Sequence, residues 1–237
     1  MSDHRAKYYE AYEERYRAAH QKGVSWMSGQ KTPIVAEVIR KYGILPDQAL
    51  LEIGCGEGRD ARPLLQEGYD LLATDISGEA IAWCRKVMPA YSGHFRVMDC
   101  LADEPNMLFD FIYAVAVVHM LVDNKDRSGF YQFIARHLKP GGLTLICTMG
   151  DGIHEMKTDT DRAFELQERD HPSGKMKVAS TSCRMVSFET FEKELAENGL
   201  RIIETGITEA LPDFDCLMYA VLSRTAEGRA ANVRNEE

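Results

Sequence analysis

The chain contains no apolar run of the ~18–20 residues that a membrane-spanning helix requires, so no membrane partner is expected. The opening residues Met1-Ser2-Asp3-His4-Arg5-Ala6-Lys7 have no apolar stretch behind them, which speaks against a secretory leader. Long lysine or arginine runs are missing, and the formal net charge is −9. Phosphate contacts need a basic surface, so nucleic acid is not expected as a partner. Cys55, Cys84, Cys100, Cys147, Cys183 and Cys216 include no C-x-x-C pair. That excludes a zinc or disulfide framework and fits small buried hydrophobes in a reducing cytoplasm. No internal repeat is found.

What is present is an alternation. With 237 residues and 45% hydrophobic content, the chain suits one α/β domain over 1–237 with a sizeable core. Helical patterns cover 4–20 and 31–43. A strand at 49–54 precedes a helix at 59–67, and a strand at 70–75 precedes a helix from Ser77 to about 88, where Pro89 stops it. Strands follow at 94–98 and 109–115, then a helix at 126–138 and a strand at 142–149. Residues 150–186 read as irregular and polar, with a turn at Pro172-Ser173-Gly174. A helix at 188–198 leads to strands at 200–208 and 215–223, which read as an antiparallel pair joined through Pro212-Asp213. The tail from Thr225 reads as frayed. Strands alternating with helices predict a mostly parallel, doubly wound sheet with helices on both faces.

The densest signal is Leu51-Glu52-Ile53-Gly54-Cys55-Gly56-Glu57-Gly58-Arg59-Asp60. An apolar run ends in alternate glycines, and Asp75 closes a second apolar run about twenty residues later. This is a strand, a glycine turn that lets backbone approach a ligand, and a carboxylate placed for ribose hydroxyls. A dinucleotide fingerprint has the spacing G-x-G-x-x-G and aims a helix at a pyrophosphate. Here the spacing is Gly54-x-Gly56-x-Gly58, and Glu57 and Asp60 would repel that group. S-adenosylmethionine (SAM) carries an ammonium and a sulfonium but no phosphate, so it suits this turn better than NAD.

The segment resembles motif I of the class I, Rossmann-like SAM-dependent methyltransferases. Leu71-Leu72-Ala73-Thr74-Asp75-Ile76-Ser77 is similar to that family's second strand and ribose-binding acid. Phe95-Arg96-Val97-Met98-Asp99-Cys100 resembles the third strand and the acid near adenine. Phe109 to His119 resembles the fourth strand and its turn, and His137-Leu138-Lys139-Pro140-Gly141-Gly142 the approach to the fifth. The likeness runs over about 48–150. It implies a seven-stranded, mostly parallel sheet with a reversed last strand, and the cofactor SAM at Glu52, Gly54, Cys55, Gly56, Gly58, Arg59, Asp75, Ile76, Asp99, Cys100, Ala114 and Val115. Family members that methylate amino groups of adenine or glutamine usually carry Asn-Pro-Pro-Tyr or Asp-Pro-Pro-Tyr after the fourth strand. Ala116-Val117-Val118-His119 stands there instead, so a small-molecule acceptor is expected.

Two segments are expected to roof the strand ends: a helical cap at 1–30 and an insertion at 150–186. Tyr8, Tyr12 and Tyr16 recur every four residues and share a helical face, with Trp26 close by. They form either an aromatic lid over the sulfonium or acceptor, or a helix face packed on the sheet. His119 is the catalytic candidate, as general base or as a residue that shapes the pocket. Arg59 either pairs with the SAM carboxylate or makes a salt bridge with Glu57 or Asp60. Asp151, His154 and Glu155 cluster without a recognised ligand spacing, so no metal is expected. The expected reaction is methyl transfer to N, O or S of a small acceptor. Alternatives are a SAM cyclase or lyase releasing methylthioadenosine on the same fold, a non-catalytic SAM-binding protein, and NAD-dependent oxidation.

Overall fold

The computed structural model describes residues 7–27, 29–209, 214 and 216–225. A 3₁₀ turn at Tyr8–Ala11 leads into α1 (Tyr12–Gln21), followed by α2 (Pro33–Tyr42). Then come β1 (Ala49–Ile53), α3 (Ala61–Gln66), β2 (Asp70–Asp75), α4 (Gly78–Val87), β3 (Phe95–Val97) and β4 (Phe109–Val115). After α5 (Asn124–His137) and β5 (Leu138–Met149), four short strands follow: β6 (Met156–Lys157), β7 (Leu166–Arg169), β8 (Met176–Ala179) and β9 (Arg184–Met185). The chain closes with α6 (Phe188–Glu197), β10 (Leu200–Thr208) and β11 (Leu217–Arg224).

Local chemistry sets several boundaries. Pro33 opens α2, and Gly43 ends it in the left-handed region at φ 64°. Ser77 caps α4 by accepting from the Ala80 amide, and Ser187 caps α6 through the Thr190 amide. The main sheet has the order β10-β11-β5-β4-β1-β2-β3. β1 pairs in parallel with β2 and β4, whereas β11 runs antiparallel to both β5 and β10. The seven-stranded sheet with a reversed last strand is therefore present. One apolar layer, including Val38, Leu64 and Ile81, covers one face. A second, including Phe130, Phe133 and Phe191, covers the other. Among the described residues no helix is long and apolar enough to cross a membrane.

Three expectations change. The expected turn at Lys139-Pro140-Gly141-Gly142 lies inside β5, where the pairing jumps from Phe109↔Leu138 to Phe111↔Leu143 and absorbs the extra residues as an irregularity. The segment 150–186 is not irregular: β7 and β8 form an antiparallel hairpin, and β6 pairs with β9. Its polar composition hid the hairpin, whose buried side needs only Met176, Val178 and Ala179. The first helix begins later than expected, because Tyr8–Ala11 is 3₁₀. The Pro212-Asp213 joint and the tail after Thr225 lie outside the described residues.

Candidate active site

β1 and β4 are neighbours, yet the chain runs outward from β1 to β2 and β3 on one side and from β4 to β5 on the other. That reversal creates a crevice at the carboxyl ends of the strands. The glycine turn sits there. Gly54 has φ 74°, and a Cβ on it would lie 2.3 Å from Val117 Cγ2. Gly56 has φ 53°, and its Cβ would lie 2.7 Å from the Tyr16 hydroxyl oxygen and 2.9 Å from Met27 Sδ. Both positions demand glycine for conformation and for space. The Cys55 and Cys84 thiols both donate to the Gly56 carbonyl, at 3.6 and 3.3 Å.

Asp75 stands at the tip of β2. Its carboxylate accepts from the Gly56 amide and the Ser77 amide, each at 2.8 Å. Burial lifts its pKa to about 6, although the amides of Ser77 and Gly56 favour the charged form. A cavity of about 220 Å³ beside it is lined by Glu10, Glu13, Ile76, Ser77 and Gly78. Asp99 lies just beyond β3, ion-paired to Lys7 at 2.6 Å and accepting from the Leu101 amide at 2.9 Å. Cys100 is half-buried next to it. A larger cavity of about 370 Å³ lies between α2 and α3 and touches none of the expected cofactor residues.

Two expected cofactor residues are turned inward. Glu52 is buried beside Tyr113, its register partner on β4, and its Oε2 has no hydrogen-bond partner among the described residues. Burial, reinforced by Asp60, pushes its pKa well above the carboxylate range, so the site favours its protonated form. Arg59 makes the salt bridge: its guanidinium reaches Asp60 at 2.9 Å and the Thr32 hydroxyl at 3.0 Å. Asp60 in turn accepts from the Thr32 amide and hydroxyl, at 2.6 and 2.7 Å. The pair fastens the start of α2 to the glycine turn.

Ala114 and Val115 end β4 and are buried. Ala116 then adopts φ 59°, a strained value for a residue with a Cβ. This turn sets Val117 against Gly54 and leads to His119, which is 5% exposed and whose Nδ1 has no hydrogen-bond partner among the described residues. The His119 ring meets Phe214 edge-on at 5.7 Å. Burial, then the charges of Arg127 and Arg15, lower its pKa to about 4, so it is neutral near pH 7.

The cap and the insertion form one roof. Arg15 on α1 donates to the carbonyls of Ala179 and Ser180, at 2.8 and 2.6 Å. Ala19 packs with Met176 and Val178, beside Trp26. Trp26 stacks on His171 at 5.7 Å, and His171 Nε2 lies 2.9 Å from the Ser25 carbonyl. The tyrosines do not act as one stripe. Tyr8 accepts from the amides of Val122 and Asp123 and donates to Asp126. Tyr12 lies against Arg15, whereas Tyr16 is buried over Gly56. Asp151 and His154 form an exposed pair, while Glu155 turns away to accept from Ser187 and Thr190.

Four contributors were not anticipated. Glu57 binds the cap from inside the glycine turn: it pairs with His20 at 2.7 Å and accepts from the Ser25 hydroxyl and the amides of Trp26 and Met27. Glu13 accepts from the Ser77 hydroxyl and the Glu79 amide. Lys7 holds Asp99, and Arg15 holds the insertion. The only available signal was the carboxylate inside the glycine turn. The cap residues gave none, because their partners are distant in the chain.

The site fits SAM on its donor chemistry. Glu10 and Glu13 give the cavity next to Asp75 an acidic lining suited to a cationic ligand, and the glycine turn lacks the Cβ atoms that would hinder close approach. Comparison with known proteins agrees. Residues 50–142 match a family model described as "Methyltransferase domain". Phosphoethanolamine N-methyltransferase 1 of Arabidopsis thaliana is 28% identical over 138 residues, 56% of this chain and 27% of that protein. A ubiquinone biosynthesis O-methyltransferase of Bradyrhizobium sp. is 31% identical over 104 residues, 42% of this chain and 39% of that protein. The chain thus spans about half or less of the curated relatives it matches. Among solved structures, the CcbJ methyltransferase from Streptomyces caelestis superposes with a TM-score of 0.65 at 13% identity, covering 93% of this chain and 99% of that one. A SAM-dependent methyltransferase from Clostridium acetobutylicum gives 0.63 at 16% identity, covering 92% and 99%. Residues 50–142 are thus similar to a methyltransferase domain, and the fold is the one seen in solved SAM-dependent methyltransferases.

Proposed function

We propose that the protein transfers a methyl group from SAM to N, O or S of a small-molecule acceptor. The observation that carries this reading is Asp75 at the tip of β2, joined through the Gly56 amide at 2.8 Å to a glycine turn at the switch point. When bound, SAM supplies a methyl carbon on a sulfonium that an acceptor atom displaces in line. The chain's own work is positional. Asp75 has lone pairs free for ribose hydroxyls, and Asp99 can take an adenine amino group once Lys7 yields it. Glu10 and Glu13 favour positive charge in the crevice. The roof of α1, Trp26 and the β7–β8 hairpin excludes water and bounds the acceptor.

His119 contributes its Nδ1, which has no partner among the described residues. A histidine with a pKa near 4 holds a proton poorly at pH 7. Its role is therefore to accept a hydrogen bond and orient the acceptor's X–H rather than to store the proton. The small-acceptor reading is supported by the roof and by relatives whose names specify phosphoethanolamine and ubiquinone biosynthesis.

The test is incubation with SAM alone, followed by mass spectrometry. Bound and intact SAM is the expected outcome, with S-adenosylhomocysteine released once a suitable amine, thiol or phenol is supplied. Methylthioadenosine produced at catalytic turnover would replace this reading with self-cleavage of SAM.

A further inference from the structure

Among the described residues, Arg15 is a buried arginine without a carboxylate partner. It is 6% exposed, and its three hydrogen bonds go to the Ala179 carbonyl, the Ser180 carbonyl and the Tyr12 hydroxyl at 3.3 Å. All three acceptors are neutral. Among the described residues the other buried arginine, Arg127, is forked onto Glu194 at 2.6–3.0 Å, and the less buried Arg59 holds Asp60. Carboxylates are not scarce, since Asp and Glu number 37 against 28 Lys and Arg. A buried charge without an opposite charge beside it is costly, and an anionic ligand would relieve that cost. The rings of Tyr12 and Trp26, 4.8 and 5.4 Å from the guanidinium carbon, offset part of that cost. Burial lowers the Arg15 pKa, and the nearby Arg169 adds to the effect.

We propose that Arg15 binds an anionic group, a carboxylate or phosphate, carried by the methyl acceptor. This rests on the methyl-transfer reading and deepens it. A guanidinium has five N–H donors, of which the described residues use three, so two are left for a bidentate contact. Its position suits the acceptor rather than the cofactor. Tyr16, the next residue, covers Gly56, and successive helical residues point about 100° apart. Arg15 therefore faces the insertion, not the glycine turn. The Ser182 hydroxyl, two residues beyond Ser180, donates to the Met120 carbonyl at 2.8 Å, which brings that strand end against the turn bearing His119.

SAM also carries a carboxylate, and the test separates the two sources. Wild-type protein saturated with S-adenosylhomocysteine is titrated with inorganic phosphate and with acetate, with chloride as the balancing anion. Calorimetry and the fluorescence of Trp26 in a Trp83→Phe background are the readouts. Saturable anion binding is expected, weakened about ten- to hundred-fold by Arg15→Gln with S-adenosylhomocysteine affinity unchanged. No saturable binding to wild type, or equal binding to the variant, overturns the proposal. Loss of S-adenosylhomocysteine affinity without loss of the anion assigns Arg15 to the cofactor carboxylate and overturns it too. If Arg15→Gln does not fold, the Trp26 response decides. A saturating change with phosphate or acetate but not chloride supports the assignment, and none overturns it. Wild-type affinity for S-adenosylhomocysteine is measured first: its absence sinks the methyl-transfer reading, whereas its presence without anion binding sinks only this one.

Discussion

The floor and the roof of the site are held by different means. In the floor, backbone holds backbone. The Cys55 amide donates to the Thr74 carbonyl at 2.8 Å, and Asp75 is fixed by two amides. The parallel register Ile53↔Thr74 already brings these residues together. In the roof, side chains span the chain: Arg15 to Ala179, Tyr8 to Val122, and Glu57 to the segment at 20–27. A floor built this way suits a cofactor that stays the same, while a roof of separable contacts could change the proposed acceptor without disturbing the sheet. Substitutions should therefore divide, with floor changes destroying cofactor binding and roof changes loosening the lid first.

The largest effect is expected from Gly54→Ala. A Cβ there meets Val117 at 2.3 Å from a left-handed backbone. Left-handed strain of about 1–2 kcal/mol and overpacking of about 1–3 kcal/mol combine to lower Tm and to abolish measurable SAM binding by calorimetry. Asp75→Asn comes next, with SAM affinity reduced about ten- to hundred-fold through loss of a charged acceptor. The pH dependence has a definite sign. On the proposed ribose contact the ionised form of Asp75 is the one that binds, and its pKa is raised to about 6. Wild-type affinity should be flat above that pH and fall as pH drops through it, whereas Asp75→Asn should be flat throughout. Equal slopes in the two proteins would remove Asp75 from the ribose contact.

Glu57→Ala tests the junction of floor and roof. It strands four groups of the cap, at an expected cost of about 1–3 kcal/mol. Hydrogen exchange should accelerate at 20–27 while β1 stays protected. Joint loss of protection in both would mean that the roof is not separable.

How much of this could be read beforehand follows the same division. The strand ends were legible because their signals are local: alternate glycines after an apolar run, and an acid closing the next one. The sheet followed from the alternation of periods. The roof was less legible. Tyr8, Tyr12 and Tyr16 have helical spacing, yet the 3₁₀ turn at Tyr8–Ala11 and the distant partners of each hydroxyl split them among three roles. Glu57 looked like a charge to be tolerated. Its function as an anchor depends on four groups from residues 20–27, whose return to the turn no local pattern encodes. The β7–β8 hairpin was missed because its apolar face is completed by α1 rather than by its own residues.

His119→Gln should have a smaller effect. The amide keeps an acceptor near the Nδ1 position, so kcat should fall about three- to tenfold with little change in SAM affinity. His119→Ala should fall further. A full loss of activity with glutamine would restore the general-base role instead.

The smallest effect is expected at Lys7, and its sign is the informative part. Lys7 is 37% exposed and pairs with Asp99 at 2.6 Å. With the ammonium exposed and Asp99 only 14% exposed, the pair is expected to contribute about 1 kcal/mol or less, and salt screens it. Removing the ammonium with Lys7→Ala should therefore leave Tm nearly unchanged. Asp99, however, is the acid expected to meet the adenine amino group, and Lys7 now occupies it. If the roof must yield Asp99 to the cofactor, Lys7→Ala should tighten SAM binding up to about fivefold, and raised salt should do the same to wild type but not to the variant. Weaker binding would instead make Lys7 part of the closed, ligand-bound roof. Either result locates the boundary between the part of the site that receives the cofactor and the part that folds over it.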